Sequence, residues 1–230
     1  MSNTSPIAKL FNSIAPSYDF LNHFLSLGID RRWRRKVLLP IKLDTETQVL
    51  DVACGTADLI IEANKQGSYR ITGVDISEKM LEVGQRKIAK KGLIGYVHLQ
   101  QVEGVHLPFP DATFEVVTVA FGVRNFEHRA ESLAEMYRVM KTGGTLMVLE
   151  FSTPTVFPLK QLYKFYFKCI LPIIGGIFSG NKSAYSYLPD SVYAFPNSED
   201  FQKELGCIGW KEMECKPLTG GIASVYYAKK

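Results

Sequence analysis

The stretch Val49-Leu50-Asp51-Val52-Ala53-Cys54-Gly55-Thr56-Ala57-Asp58, followed about twenty residues on by Ile71-Thr72-Gly73-Val74-Asp75, decides how the chain reads. An apolar β-like run ends in an acidic residue, turns through small residues and opens a helical pattern. Small residues let backbone come close to a ligand, and an acidic residue at the end of the next strand can accept hydrogen bonds from two ribose hydroxyls. A dinucleotide site uses three glycines to seat a pyrophosphate on the helix N-terminus. Here Cys54 and Ala57 occupy two of those small-residue positions, so the loop suits a nucleoside without phosphates.

Working outward, strand-like runs fall near Gln48 to Val52, Arg70 to Val74, Tyr96 to Gln101, Val116 to Ala120 and Thr145 to Glu150, with helical patterns between them. Such alternation implies a parallel sheet with helices on both faces. Ser77 is placed as the N-cap of a helix running to about Lys90, and Leu133, Met136, Tyr137 and Met140 recur at helical spacing before a Thr142-Gly143-Gly144 stop. Gly209 to Lys216 and Ile222 to Ala228 read as a late hairpin around the turn Pro217-Leu218-Thr219-Gly220-Gly221. Ser13 to Leu39 reads as mostly helical, with Phe20, Leu21, Phe24, Leu25 and Leu27 ahead of the basic run Arg31-Arg32-Trp33-Arg34-Arg35-Lys36.

With 230 residues, 46% hydrophobic and 22% charged, the chain is long enough for one α/β domain with an added lobe, and it has no disordered signature. A net charge of +4 without a concentrated basic stripe or stacking aromatics argues against nucleic acid as a partner. The four cysteines at 54, 169, 207 and 215 show no CxxC pair or zinc spacing, so reduced thiols and no metal are expected. Met1 to Leu10 is polar and lacks a signal-peptide core, and Phe165 to Phe178, with Lys168, Pro172, Gly175 and Gly176, is too short for a membrane span. A cytoplasmic protein is expected. The phosphate-free nucleoside that the glycine-poor loop suits is most commonly S-adenosylmethionine.

Two further stretches carry a family resemblance. The first is Tyr18-Asp19-Phe20-Leu21-Asn22 with Ser26, Gly28, Arg31 and Trp33. The second is Arg138-Val139-Met140-Lys141-Thr142-Gly143-Gly144, running on to Leu149-Glu150-Phe151-Ser152. Between them lie Leu107-Pro108-Phe109-Pro110-Asp111 and Phe121-Gly122-Val123-Arg124-Asn125. Over nearly the whole chain these resemble the S-adenosylmethionine-dependent C-methyltransferases of ubiquinone and menaquinone biosynthesis. The chain departs from the family pattern at Leu21, where methionine is usual, at Asp30, where histidine is usual, and at Thr142, where proline is common.

The resemblance implies a Rossmann-like class I methyltransferase fold, α/β with a mostly parallel sheet and an antiparallel C-terminal hairpin. It implies a single domain over residues 1–230, with an N-terminal helical cap (1–40) and an aromatic-rich substrate or membrane insertion (152–196). The implied reaction is C-methylation of demethylmenaquinol to menaquinol, with S-adenosylmethionine as methyl donor. Methylation of the ubiquinone precursor 2-polyprenyl-6-methoxy-1,4-benzoquinol stays open, as does a scaffold that binds quinone or cofactor without turnover. The short chain, without an extended N-terminal targeting region, favours the menaquinol side.

Residue by residue, the resemblance sets Tyr18, Asp19, Arg124 and Asn125 around the reacting ring, and Thr56, Gly55 and Asp75 on the methionine and ribose portions of the donor. Glu103 and Gly104 fall where the family contacts adenine, although Gln101-Val102-Glu103-Gly104-Val105-His106 departs from the usual wording, and Ala120 is a further cofactor contact. Asp51 either steadies the loop or receives the donor's amino group. Of the four histidines, His106 alone is kept as a candidate base.

In the insertion, Leu159, Tyr163, Phe167, Ile170 and Ile174 fall near one helical face, with Lys160, Lys164 and Lys168 beside it. This face fits either a core helix or peripheral contact with the inner, cytoplasmic membrane surface, where a prenylated demethylmenaquinol would be met. A homodimer is left open.

Overall fold

The sheet grows from β1 (Gln48–Val52), whose residues after Gln48 are all buried, as a strand covered on both faces requires. The structure is a computed structural model and describes residues 5–38, 45–67, 70–102, 105–166, 169 and 182–230. β1 lies between β2 (Arg70–Asp75) and β4 (Phe114–Ala120), both parallel to it, with Val49 opposite Ile71 on one side and Val116 on the other. β3 (Val97–Gln101) adds outside β2, and β5 (Met140–Phe151) outside β4. β7 (Ala223–Lys229) pairs antiparallel with both β5 and β6 (Lys211–Leu218), giving the order β3-β2-β1-β4-β5-β7-β6. The chain reverses its direction of growth between β1 and β4, the switch point at whose carboxyl edge open α/β sheets bind ligands.

Strand alternation divides the core. Val49, Ile71, Met147 and Leu149 pack on the face covered by α2 (Ile29–Leu38), α3 (Asp58–Asn64) and α4 (Glu78–Lys90). Leu50, Val117, Leu146 and Val148 pack on the other face, against Leu133 and Met136 of α5 (Arg129–Val139) and Phe201 and Leu205 of α8 (Ser198–Ile208). Leu50 and Leu133 have no exposed surface, so truncating either to alanine costs about 2–5 kcal/mol.

Helix ends follow local chemistry. Ser77 caps α4 by accepting from the Met80 N–H at 3.2 Å, and Asn197 caps α8 by accepting from the N–H groups of Glu199 and Asp200.

Three boundaries differ from the sequence reading. The N-terminal segment is two helices, α1 (Pro6–Leu25) and α2, because Leu27 (φ 51°) and Gly28 (φ 73°) turn left-handed between them. Met140 opens β5, pairing with Phe114 in the sheet, while Lys230 Nζ donates to the Tyr137 and Met140 carbonyls at the end of α5. β6 runs on through Pro217 and Leu218, which pair with Ser224 and Ala223; an edge strand tolerates proline because it has a side with no ladder to complete.

In the insertion, α6 (Leu159–Phe165) and α7 (Lys182–Ala194) are described, whereas Phe167, Lys168, Ile170 and Ile174 lie outside the described residues. Among the described residues no helix is long and apolar enough to cross a membrane.

Candidate active site

Two cavities meet at the carboxyl edge of β1 and β4. The first, about 220 Å³, is lined among others by Gly55, Asp75, Ile76, Val102, Ala120 and Asn125. The second, about 320 Å³, lies under α1, α2, α6 and α7, and its lining includes Trp33, Arg34, Arg124, Phe151, Tyr163 and Tyr187. Phe11, Tyr18 and Phe121 line both, so they form the boundary between them.

The first cavity is built on strained small-residue turns. Ala53 (φ 55°) and Phe121 (φ 58°), each just past its strand, are non-glycine residues in the left-handed region, as is Ala57 (φ 64°) ahead of α3. Such residues cost about 1–3 kcal/mol each and cluster at functional sites. A Cβ at Gly122 would meet the Ala53 Cβ at 2.6 Å, so glycine is required where the β1 and β4 loops touch.

Asp75 clasps the loops: its Oδ2 accepts from the Gly55 N–H and its Oδ1 from the Ser77 N–H, both at 2.8 Å. Burial raises its pKa, and the backbone N–H groups of Ser77, Gly55 and Ile76 oppose the rise. A carboxylate has about four acceptor positions, so capacity remains for a ribose hydroxyl.

Asp51 and Thr56 are buried behind this wall and do not line it. Asp51 accepts from the Thr118 hydroxyl at 2.6 Å; burial, opposed by that bond and reinforced by the Asp75 charge, pushes it up to about 7. Of its two readings, the geometry bears on the loop-steadying one. Burial likewise holds the Cys54 thiol well above its ordinary value, so it stays protonated at neutral pH. Glu103 and Gly104 lie outside the described residues.

Arg124 and Asn125 occupy a 3₁₀ turn, Val123–Asn125, immediately after β4. Arg124 lines the second cavity and Asn125 the first, and Asn125 Oδ1 accepts from the Tyr187 hydroxyl at 3.0 Å. Glu150, fully buried on β5, accepts from Arg124 Nη1 at 2.8 Å and from the Arg124 backbone N–H at 3.2 Å. The Phe121 carbonyl shares Nη1, and the Ser191 hydroxyl accepts from Nε. Among the described residues none accepts from Nη2. Arg124 is therefore a buried, fixed guanidinium and not an exposed salt-bridge partner.

Asp19 lines neither cavity. It accepts from the Thr56 hydroxyl and, at 2.6 Å, from Lys87 Nζ, which also bonds Asp58. It joins α1 to the loop after β1, while Tyr18, its neighbour, faces the boundary. Burial raises the Tyr18 hydroxyl, opposed by the charges of Arg124 and Arg34.

His106 points to solvent against Glu135 at 3.0 Å, and among the described residues no histidine lines the second cavity. The kept candidate base therefore does not line that cavity. His23, Asp30 and Asp58 come together, but the cations Arg34 and Lys87 already pair with these carboxylates.

Sequence reasoning missed Glu150, Arg34, Lys87 and Tyr187. Glu150 and Arg34 stood in quoted stretches, but nothing local marked them; the other two carried no signal.

A family model described as the ubiE/COQ5 methyltransferase family matches residues 1–230. The chain is 46% identical over 226 residues, 97% of its length and 96% of the relative's, to the ubiquinone/menaquinone biosynthesis C-methyltransferase UbiE of Geotalea daltonii. It is 43% identical over 225 residues, 97% of its length and 92% of the relative's, to the demethylmenaquinone methyltransferase of Bacteroides fragilis. Among solved structures, a putative S-adenosyl-L-methionine-dependent methyltransferase from Methanococcus maripaludis superposes with a TM-score of 0.68 at 20% identity, covering 100% of this chain and 97% of that one. That likeness shows the Rossmann-like class I fold expected from the sequence. With a family match from end to end and relatives above 40% identity, the chain belongs to the ubiE/COQ5 methyltransferase family.

Proposed function

We propose that this protein transfers a methyl group from S-adenosylmethionine to a ring carbon of a reduced, prenylated quinone precursor, with demethylmenaquinol the acceptor and menaquinol the product. The observation that carries this reading is the meeting of the two cavities at Tyr18 and Phe121, with a fixed guanidinium on the larger, mostly apolar side.

The donor supplies an electrophilic methyl on a sulfonium. Asp75 fits its ribose, and the apolar Ile76, Val102 and Leu107 suit its adenine. In the acceptor, loss of a hydroxyl proton pushes electron density onto the adjacent ring carbon. That carbon forms the new bond as the sulfur–methyl bond breaks; S-adenosylhomocysteine leaves, and loss of the ring proton restores aromaticity.

Arg124 is not the base, because a guanidinium keeps its proton in a protein and has no acceptor lone pair to offer. Its Nη2, to which no described residue is bonded, would stabilise the developing phenolate or hold the water that takes the proton. Asn125, on the first cavity, accepts from Tyr187, which lines the second, and Tyr18 closes the boundary against water. Alignment in a dry cavity is the main contribution such a site makes to methyl transfer.

The mouth of the acceptor cavity supports the membrane reading. Leu27 and Leu162 line it yet are 85% and 60% exposed, and Phe157 and Phe165 are exposed beside Lys160 and Lys164. An apolar rim flanked by lysines suits peripheral contact with an anionic bilayer from which the prenyl tail reaches the cavity.

The test is transfer of labelled methyl to chemically reduced demethylmenaquinol, run beside the reduced ubiquinone precursor and an Arg124→Ala control. Label in menaquinol, lost in the variant, is expected. Label in neither quinol despite donor binding overturns the assignment.

A further inference from the structure

Five of the six residues from Arg31 to Lys36 are basic, yet only Arg34 is buried, at 7% exposure, while Arg31, Arg32, Arg35 and Lys36 face solvent. A buried cation is costly unless paired. Asp30, one helical turn earlier, bonds Arg34 Nη1, and Asp58 lies 3.7 Å from Nη2. Asp30 is in turn fixed by the Ser26 hydroxyl at 2.6 Å and by His23 Nδ1 at 2.8 Å. Burial opposes its ionisation, but the Ser26 bond and the Arg34 charge prevail and hold it below the usual carboxylate range.

That anchoring leaves donors over. Nε and Nη2 of Arg34 make no hydrogen bond to any described residue, and the side chain lines the acceptor cavity. Arg34, Arg124 and Asp30 are the charged residues of that lining among the described residues, and Asp30 is already neutralised by Arg34. The two guanidinium groups lie over different rings of that lining. Arg34 lies over the Phe121 ring at 5.5 Å and Arg124 over the Phe151 ring at 5.3 Å, while the two rings pack together with centroids 4.6 Å apart.

We propose that Arg34 is a second anion-binding group of the acceptor cavity, holding the ring oxygen remote from Arg124 and so selecting acceptors that carry two ring oxygens. This rests on the reading of the second cavity as the acceptor site. Arg124 serves the oxygen next to the methylated carbon; Arg34 orients the ring from its other side. Asp30 acts through Arg34 as a positioning residue.

Trp33 lines the same cavity, whereas Trp210 is buried in the opposite core, so quenching of Trp33 reads acceptor binding without turnover. The probes are a 2-prenyl-naphthalene-1,4-diol kept reduced and a 3-prenyl-1-naphthol with the same tail, which keeps only the hydroxyl next to the methylated carbon, binding to the wild type, Arg34→Lys and the double variant Arg34→Gln/Asp30→Asn. The double variant removes both charges together, so no buried carboxylate is stranded. Wild type is expected to bind the diol more tightly than the mono-ol. Both variants should weaken the diol about tenfold or more and leave the mono-ol and S-adenosylmethionine unchanged, because a hydrogen bond to a charged group is lost only for the diol.

Equal loss for both probes, no loss for either, or no wild-type preference for the diol overturns the proposal. A wild type that prefers the diol but methylates neither probe overturns the assigned reaction, while the binding comparison still decides the role of Arg34.

Discussion

Arg124 and Glu150 form an almost wholly buried ion pair, Nη1 to Oε1 at 2.8 Å with side chains 6% and 0% exposed. Glu150 grips both the side chain and the backbone of Arg124, so a residue that lines the second cavity also ties the carboxyl end of β4 to β5. Arg124→Ala strands a carboxylate in the core and should lower stability by about 3–5 kcal/mol, besides abolishing methyl transfer. Arg124→Ala/Glu150→Gln should recover much of that stability in urea unfolding while remaining inactive. A double variant as unstable as the single one would show that the pair is not the source of the loss.

Asp75→Asn replaces one acceptor oxygen by a donor facing the Gly55 or Ser77 N–H. Affinity for S-adenosylmethionine should fall about 10- to 100-fold by calorimetry, the size of a lost charge-assisted bond, with naphthol binding unaltered. An unchanged donor affinity would reduce Asp75 to a clasp between loops.

Asp19 ties α1 to α4 and to the loop after β1 through Lys87 and Thr56, contacts 68 and 37 residues apart in sequence. These side chains are about a quarter exposed, so the Asp19–Lys87 pair is worth no more than about 1 kcal/mol. Asp19→Asn should raise hydrogen exchange in α1 but not in α5, and S-adenosylmethionine should slow proteolysis of α1 in the wild type, since Ile7 and Phe11 cover the first cavity. Equal cleavage with and without the donor would count against α1 acting as its cover.

Asp51 gives a pH signature. Its folded pKa, about 7, lies above the ordinary 3.8, so between these values the folded chain holds a proton that the unfolded chain has released. Its contribution therefore makes stability fall as pH rises from about 4 to about 7, and the loss is complete above that. Asp51→Asn should flatten this slope and leave the variant relatively more stable at pH 8 than at pH 4, compared with wild type. Parallel stability–pH curves would refute the shift.

β1 and β4 were legible as short, mostly apolar runs and the other parallel strands from the alternation of β-like and helical patterns, and Ser77 was legible as a cap because its partner, Met80, is three residues away. The break at Leu27 and the strand character of Met140 were not. One depends on a left-handed turn at a non-glycine residue, the other on pairing with Phe114 across the sheet. In the site, Asp75 and Arg124 stood out by position at strand ends, and both line a cavity. Asp19 and Thr56 stood out equally, yet they bond each other behind the wall.

By itself the sequence determined the order of the elements, the small-residue turn after β1 and the family, because periodicity, turn chemistry and motif spacing are properties of neighbouring residues. Only the tertiary structure decided which charges line the second cavity. Arg34 is buried among four exposed basic neighbours, and Glu150 reaches back 26 residues to Arg124. Such choices follow from which helix face meets which strand end, and from the requirement that every charge so buried find a partner.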